Sequence, residues 1–204
     1  MKLYDSRLAP NPRRVRVFLA EKGIAVEIVP VDLGRLEQNN PAFAARNPVR
    51  QIPVLELDDG TAIAETMAIC RYFDEVQPAP PLFGTGARER ALVEMWQRRI
   101  EFDLFWRVAH AFRHLHPAMR LMEVPQVPEW GEANKPKALD ALARLDAALA
   151  DGRPFVCGET FTVADITALC AVDFLKPARI ARPEGLARLD AWHARVAARP
   201  SATA

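Results

Sequence analysis

Cysteine is scarce in this chain. Three residues, Cys70, Cys157 and Cys170, are scattered through 204 positions with no C-x-x-C or Cys/His spacing among them. An odd, dispersed set argues against a disulfide framework and a structural zinc site, and it fits a reducing compartment. Surplus charge is also missing. Lys and Arg number 27 against 26 acids, so nothing points to nucleic acid or an anionic membrane surface as a partner. Arg7, Arg13, Arg14 and Arg16 cluster without interleaved aromatics and read as a solvated helix face. No apolar run approaches the ~18 residues of a membrane span, and the start MKLYDSRLAPNPRR has no apolar signal core. The expectation is a cytoplasmic protein without a metal site. Internal repeats and low-complexity tracts are absent too.

What is present divides in two. Residues 1–76 alternate strand-like and helix-like signals: a strand at Lys2–Tyr4, a helix opened by Pro12 and running over Arg13–Lys22 to a stop at Gly23, and a β-branched strand at Val26–Val31. A loop and short helix over Leu33–Arg46, a hairpin around Asp59-Gly60 and a helix over Thr66–Val76 follow. One helix between the first two strands implies a parallel pair with a right-handed crossover, and the Asp-Gly turn implies an antiparallel one. Residues 77–86, QPAPPLFGTG, carry three prolines and two glycines and read as a linker. Residues 87–204 read as helical throughout, with one long helix over Ala87–Leu115 and others over Lys135–Ala150, Thr162–Phe174 and Glu184–Arg199. The predicted fold is a small α/β domain followed by an all-α helical domain.

The hairpin sequence RQIPVLELDDGTAIAET places Pro53 at the mouth of a strand, where it has no N–H to give a ladder. A cis Ile52-Pro53 bond would turn the Ile52 N–H and C=O outward to receive an extended peptide. Glu65-Thr66 falls where strand becomes helix, and the free N–H groups of a helix start favour a carboxylate. The two features describe either a pocket for a short peptide carrying a carboxylate, or simply a tight turn plus a helix cap.

Three separated stretches, NPVRQIPVL at 47–55, ETMAICRYF at 65–73 and FTVADI at 161–166, resemble the cytosolic glutathione transferase family, in the family's order and across essentially the whole chain. The resemblance implies a thioredoxin-like N-terminal domain that binds glutathione as co-substrate and an all-helical domain that lines the site of a hydrophobic electrophile. It implies that the Ile52 backbone, before Pro53, pairs with the cysteinyl portion of glutathione. Glu65 and Thr66 then hold the γ-glutamyl carboxylate and amine, and Gln38 and Arg50 contact the glycyl end, with Gln51 a further candidate. A homodimer is implied as well, with Met67, Arg71, Tyr72, Leu92, Met95 and Arg99 as contact candidates.

The chain departs from the family at the thiol-activating position, where many members carry Ser, Tyr or Cys. Anchored on Arg14-Val15-Arg16, that position falls on Ala9. Ser6 and Asn11 are the nearby groups with a donor. The segment FRHLHP at 112–117, followed by EWG at 129–131, looks like a bacterial and fungal branch lacking the usual residue, in which a water held by the helical domain supports the thiolate. By that resemblance His114 is the first candidate and His116 the second, although His116 also suits a helix end. At about 100° per residue, Trp96, Asp103, Arg107, His110 and His114 form one stripe of the long helix, opposite Met95, Phe102, Phe105, Trp106, Ala109 and Phe112. The polar stripe either meets solvent or faces the cleft between domains. Thr162-x-x-Asp165 reads as a capping box, and Cys70 as a core residue rather than a nucleophile. The implied activity is attack of the glutathione thiolate on hydrophobic electrophiles. Glutathione-dependent peroxide reduction, isomerisation, or glutathione binding without catalysis are the alternatives, the last favoured by Ala9.

Overall fold

A computed structural model describes all 204 residues, which form two compact units: Met1–Pro81 with Thr203–Ala204, and Leu82–Ala202. No helix is long and apolar enough to cross a membrane.

The first unit holds β1 (Lys2–Asp5), α1 (Pro10–Lys22), β2 (Glu27–Pro30), α2 (Pro41–Arg46), β3 (Val54–Glu56), β4 (Ala62–Ala64) and α3 (Thr66–Val76). The sheet order is β2-β1-β3-β4, with β1 parallel to β2 and antiparallel to β3, and β3 antiparallel to β4. This is the mixed sheet that the single-helix crossover and the Asp59-Gly60 turn require. Side-chain alternation sorts the two faces. Tyr4 and Val54, paired across β1 and β3, enter a cluster with Val31, Phe43 and Ile52. Leu3 and Leu55, the neighbouring pair, face the other way and are fully buried, as are Val15 and Phe18 of α1 and Ile69 and Phe73 of α3.

Two local expectations need correction. Helix α1 begins at Pro10 rather than at Pro12, so both prolines occupy its first turn, where a missing N–H costs little. Nor do the arginines of that helix form a solvated face. Arg14 is buried, and Arg16 Nη1 reaches both oxygens of the buried Asp5 carboxylate at 2.6 Å. Gly23, with φ 65°, ends α1 in a Schellman turn, its N–H bonding Ala20 O and the Ile24 N–H bonding Leu19 O.

Helix α1 is tied to α3 by a buried ion pair: Lys22 Nζ lies 2.5 Å from Asp74 Oδ1 and donates to Gln77 O at 2.7 Å. The ammonium is fully removed from water. Asp74→Ala therefore strands a buried charge, and is expected to lower unfolding free energy by about 3–5 kcal/mol in denaturant titration. A loss below ~1 kcal/mol would show that water reaches Lys22.

The second unit contains α4 (Gly86–Ile100), α5 (Trp106–Leu115), α6 (Pro128–Ala148), α7 (Val163–Phe174) and α8 (Ala187–Ala197). The long helix is not uniform. A π-helical segment, Glu101–Phe105, joins α4 to α5 and breaks the 100° arithmetic. Phe102, assigned to the apolar stripe, is exposed, and Asp103 lies 3.9 Å from Arg144. The polar stripe survives only beyond the π segment, where Arg107 and His110 are half-buried and His114 is buried. Arg107 Nη1 donates to Asn134 of α6 at 3.3 Å, and His110 packs edge-on to Trp130. Helix α6 starts at Pro128, seven residues before the predicted start, and keeps Pro136 inside it. Helix α7 begins at the cap foreseen: Thr162 and Asp165 close the capping box.

Candidate active site

The strand registers gather most of the predicted residues of the first unit at one end of its sheet. Tyr4 pairs with Val54, and Val54 with Ala64. One step beyond these pairs, the chain leaves β1 toward Ser6, enters β3 from Ile52-Pro53, and leaves β4 into Glu65-Thr66. Strand β2 runs parallel to β1, so the connection from Pro30 to Val54, which carries Gln38, Arg50 and Gln51, starts and returns at this same end. Ala9 packs against the cluster that contains Ile52.

The Ile52-Pro53 bond is cis, and the β3 ladders begin only at Val54. Main-chain atoms of Ile52 therefore take part in neither the β1 nor the β4 pairing. Asn47 holds the approach to this bend. Its Nδ2 donates to Gln51 O at 2.9 Å, its Oδ1 accepts from the Val49 N–H at 3.2 Å, and its own C=O accepts from the Arg50 N–H at 2.9 Å. Arg50, in the left-handed region at φ 58°, and Gln51 are both exposed. The role of Asn47 was not foreseen. The signal was an Asn before Pro48, a residue suited to tying a turn to itself.

Glu65 adopts φ 70° and ψ 122°, a strained backbone for a residue with a Cβ, directly before α3. Its side chain is exposed and caps nothing, so the first N–H groups of α3 stay open at this end of the sheet. Thr66, the first residue of α3, is buried. Gln38 is buried in a short 3₁₀ turn, Glu37–Asn39, with its Oε1 lacking a partner. A buried acceptor without a donor calls for one from a ligand.

The loop after β1 is preorganised. Arg16 Nη2 donates to Arg7 O at 2.9 Å, and the Ala9 N–H donates to Ser6 O at 2.9 Å. Pro10 and Pro12 have no N–H, so Asn11 supplies the one N–H between them, and it has no partner within the chain. Asn11 Oδ1 accepts from Arg14 Nη2 at 3.1 Å, which leaves the Nδ2 donors of that amide unoccupied. A free N–H at a helix start and an amide donor thus sit on one residue.

In the second unit, His114 is buried on α5. Its Nδ1 accepts the Val127 N–H at 3.0 Å, so a neutral ring carries its proton on Nε2, which lies 3.6 Å from Glu123 Oε1. Glu123 is in turn held by Arg113 at 2.5 Å. Helix α6 closes on this residue at Gly131, where a Cβ would stand 2.6 Å from Leu115 Cγ and 3.2 Å from His114 Cβ. His110 stacks on His114 with ring centroids 6.1 Å apart, and burial, then the His114 charge, pushes its pKa down. His116 is differently placed: its Nδ1 accepts the Ala118 N–H at 3.2 Å and caps the short turn Pro117–Met119. Neither Cys70 nor Cys157 suits a nucleophile, since Cys70 is buried and burial pushes the Cys157 thiol up to about 12.

Known families match both units. The glutathione S-transferase N-terminal domain model matches residues 9–76, and the corresponding C-terminal domain model matches residues 112–200. Glutathione S-transferase 2 of Saccharomyces cerevisiae is 38% identical, over 98% of this chain and 87% of its own length. Two solved structures are similar throughout. A glutathione S-transferase domain-containing protein of Marinobacter aquaeolei superposes with a TM-score of 0.95 at 44% identity, covering 98% of this chain and 99% of the other. Gtt2 of Saccharomyces cerevisiae gives 0.93 at 38% identity, covering 98% of each. The fold is the thioredoxin-like unit with a four-stranded mixed sheet, followed by a helical unit.

Proposed function

Because the chain belongs to the glutathione S-transferase family and is a glutathione S-transferase, we propose that it binds glutathione at the Ser6–Asn11, Ile52-Pro53 and Glu65-Thr66 end of its sheet and directs the thiolate at a hydrophobic electrophile. The free Ile52 main chain suits an extended peptide backbone. The open start of α3 with the Thr66 hydroxyl suits a carboxylate, and the Glu65 carboxylate suits an ammonium. Gln38, Arg50 and Gln51, on the connection that returns to this end, suit the glycyl terminus. The helical unit supplies the electrophile's apolar surroundings, and the assembly is a homodimer. Rate enhancement follows from holding both reactants and from favouring the thiolate.

Asn11 is the thiolate-stabilising group in this reading. The observation that carries it is the first turn of α1, where two prolines leave a single free N–H and Arg14 fixes the adjoining amide. A free thiol has a pKa of about 8.5, and lowering it by one unit takes about 1.4 kcal/mol, within reach of one or two good donors at a helix start. Ser6 is the other donor of the loop. His114 is the first candidate for holding a water toward the thiol and His116 the second; each accepts a backbone N–H at Nδ1, which leaves Nε2–H as the donor of a neutral ring, and that of His114 also faces Glu123 at 3.6 Å.

The test is a pH titration of the bound glutathione thiol by ultraviolet absorbance. Asn11→Ala is expected to raise the thiol pKa by about one unit and to lower turnover about tenfold at pH 6.5, with recovery at high pH. His114→Ala moving the pKa instead, with Asn11→Ala silent, assigns the role to the water. A wild-type thiol pKa near 8.5 overturns the catalytic reading in favour of a binding protein.

A further inference from the structure

Between β2 and β3 the chain of the first unit holds only a 3₁₀ turn, Glu37–Asn39, and α2. Helix α2 has six residues and no side-chain cap at its start, too little to keep its place by its own hydrogen bonds. Yet it sits between the residues assigned to the glycyl end: Gln38 just before it, Arg50 and Gln51 just after. Whatever fixes α2 therefore fixes them.

Two anchors do so, and both meet Tyr4 of β1. The apolar one is Phe43, buried in the middle of α2, whose ring meets that of Tyr4 edge-on with centroids 5.9 Å apart. The polar one is Arg46, the last residue of α2. Its Nε donates to Glu56 Oε2 of β3, its Nη1 donates to Ala42 O at 2.6 Å, and its guanidinium carbon lies 4.9 Å from the centre of the Tyr4 ring. The Tyr4 hydroxyl donates to the same Glu56 oxygen at 3.2 Å. One side chain thus joins the end of the helix, its first turn and two strands of the sheet. The bond from Arg46 holds the Glu56 carboxyl below its ordinary range, while burial, then the bond to Glu56, raises the Tyr4 phenol, so the charges of the cluster stay fixed at neutral pH.

The cluster does not itself reach the site. Glu56 stands two residues along β3 from Val54, about 7 Å away from the end at which Ile52 enters the sheet. It acts through the chain: Asn47, which follows Arg46 directly, is buried and ties the turn over residues 49–51 with its own side chain.

We propose that Arg46, Glu56 and Tyr4 are positioning residues: they clamp α2 to the sheet so that Gln38, Arg50 and Gln51 stand where the glycyl end of the co-substrate lies, and the preference of the enzyme for glutathione over γ-glutamylcysteine depends on them. The inference rests on the glutathione reading above and adds the device that sets one end of that site.

The test is isothermal titration of the whole protein with glutathione and with γ-glutamylcysteine, which lacks the glycyl residue. Wild type is expected to bind glutathione about tenfold tighter, the worth of one charge-assisted contact to the glycyl carboxylate. Arg46→Met and Glu56→Gln should each weaken glutathione about fivefold and leave γ-glutamylcysteine unchanged, so that the ratio falls toward one. Arg46→Lys, which keeps the charge beside Glu56, should restore part of the ratio, and Tyr4→Phe, which keeps the ring, should lower it about twofold. A ratio that stays at the wild-type value in Arg46→Met and Glu56→Gln overturns the clamp. So does equal weakening of both thiols, which would mean that the variants loosen the whole unit. A wild type that binds the two thiols equally overturns instead the placing of the glycyl end at Gln38 and Arg50, and the clamp with it.

Discussion

Asp165→Ala is expected to destabilise the helical unit more than any other single truncation in it, by about 3–5 kcal/mol. The carboxylate lies wholly out of water and accepts four bonds: the Val156 N–H at 2.8 Å, the Trp192 indole N–H at 2.9 Å, the Thr162 N–H at 3.0 Å and the Thr162 hydroxyl at 3.2 Å. Burial still pushes its pKa up, against the pull of those donors. Alanine removes a helix cap, worth roughly 0.5–2 kcal/mol, and leaves buried donors unsatisfied at roughly 1–3 kcal/mol each. Thermal unfolding followed by far-ultraviolet circular dichroism should show a midpoint lower by roughly 6–20 °C. A shift of a degree or two would mean that water replaces the carboxylate and that the cluster is not a structural lock. A capping box read from sequence thus turns out to be the centre of a larger network, because Trp192 and Val156 come to it from elsewhere in the helical unit.

The largest expected effect on activity lies at Glu65. Its exposed carboxylate makes no hydrogen bond or ion pair within the chain, and its backbone sits in a region that costs stability. A strained residue that does nothing for the fold is expected to act on a ligand. Glu65→Gln should raise KM for glutathione about tenfold or more while leaving kcat and the unfolding midpoint unchanged, since it removes a charge partner that acts equally in ground and transition states. Glu65→Gly should match that loss of binding and raise the unfolding midpoint, as the φ of 70° suits glycine. A KM for glutathione that stays at the wild-type value in both variants would remove Glu65 from the site.

These two residues illustrate what was legible in the sequence. Asp165 followed from a local rule, the four-residue spacing of a cap. The mixed sheet likewise followed from one crossover helix and one Asp-Gly turn. Glu65-Thr66 and Ile52-Pro53 were legible as motifs, but their meeting at one end of the sheet is a matter of register, which is set by long-range pairing of Tyr4 with Val54 and Val54 with Ala64. The errors share a cause. The stripe on the long helix assumed an unbroken 3.6-residue period, which the π segment at Glu101–Phe105 interrupts. The solvated reading of Arg14 and Arg16 weighed their neighbours in sequence and not Asp5, whose buried carboxylate draws Arg16 to it. Burial of a charge depends on a partner brought by the fold, and composition does not show it.

The central claim is that glutathione lies along the Ile52 main chain with its carboxylate at the start of α3. Amide resonances of isotope-labelled protein titrated with glutathione test it most directly. Saturable shifts concentrated at Asn11, Ile52, Thr66 and Met67 are the result expected from the sheet-end site. Saturable binding that leaves those four amides unmoved would contradict it.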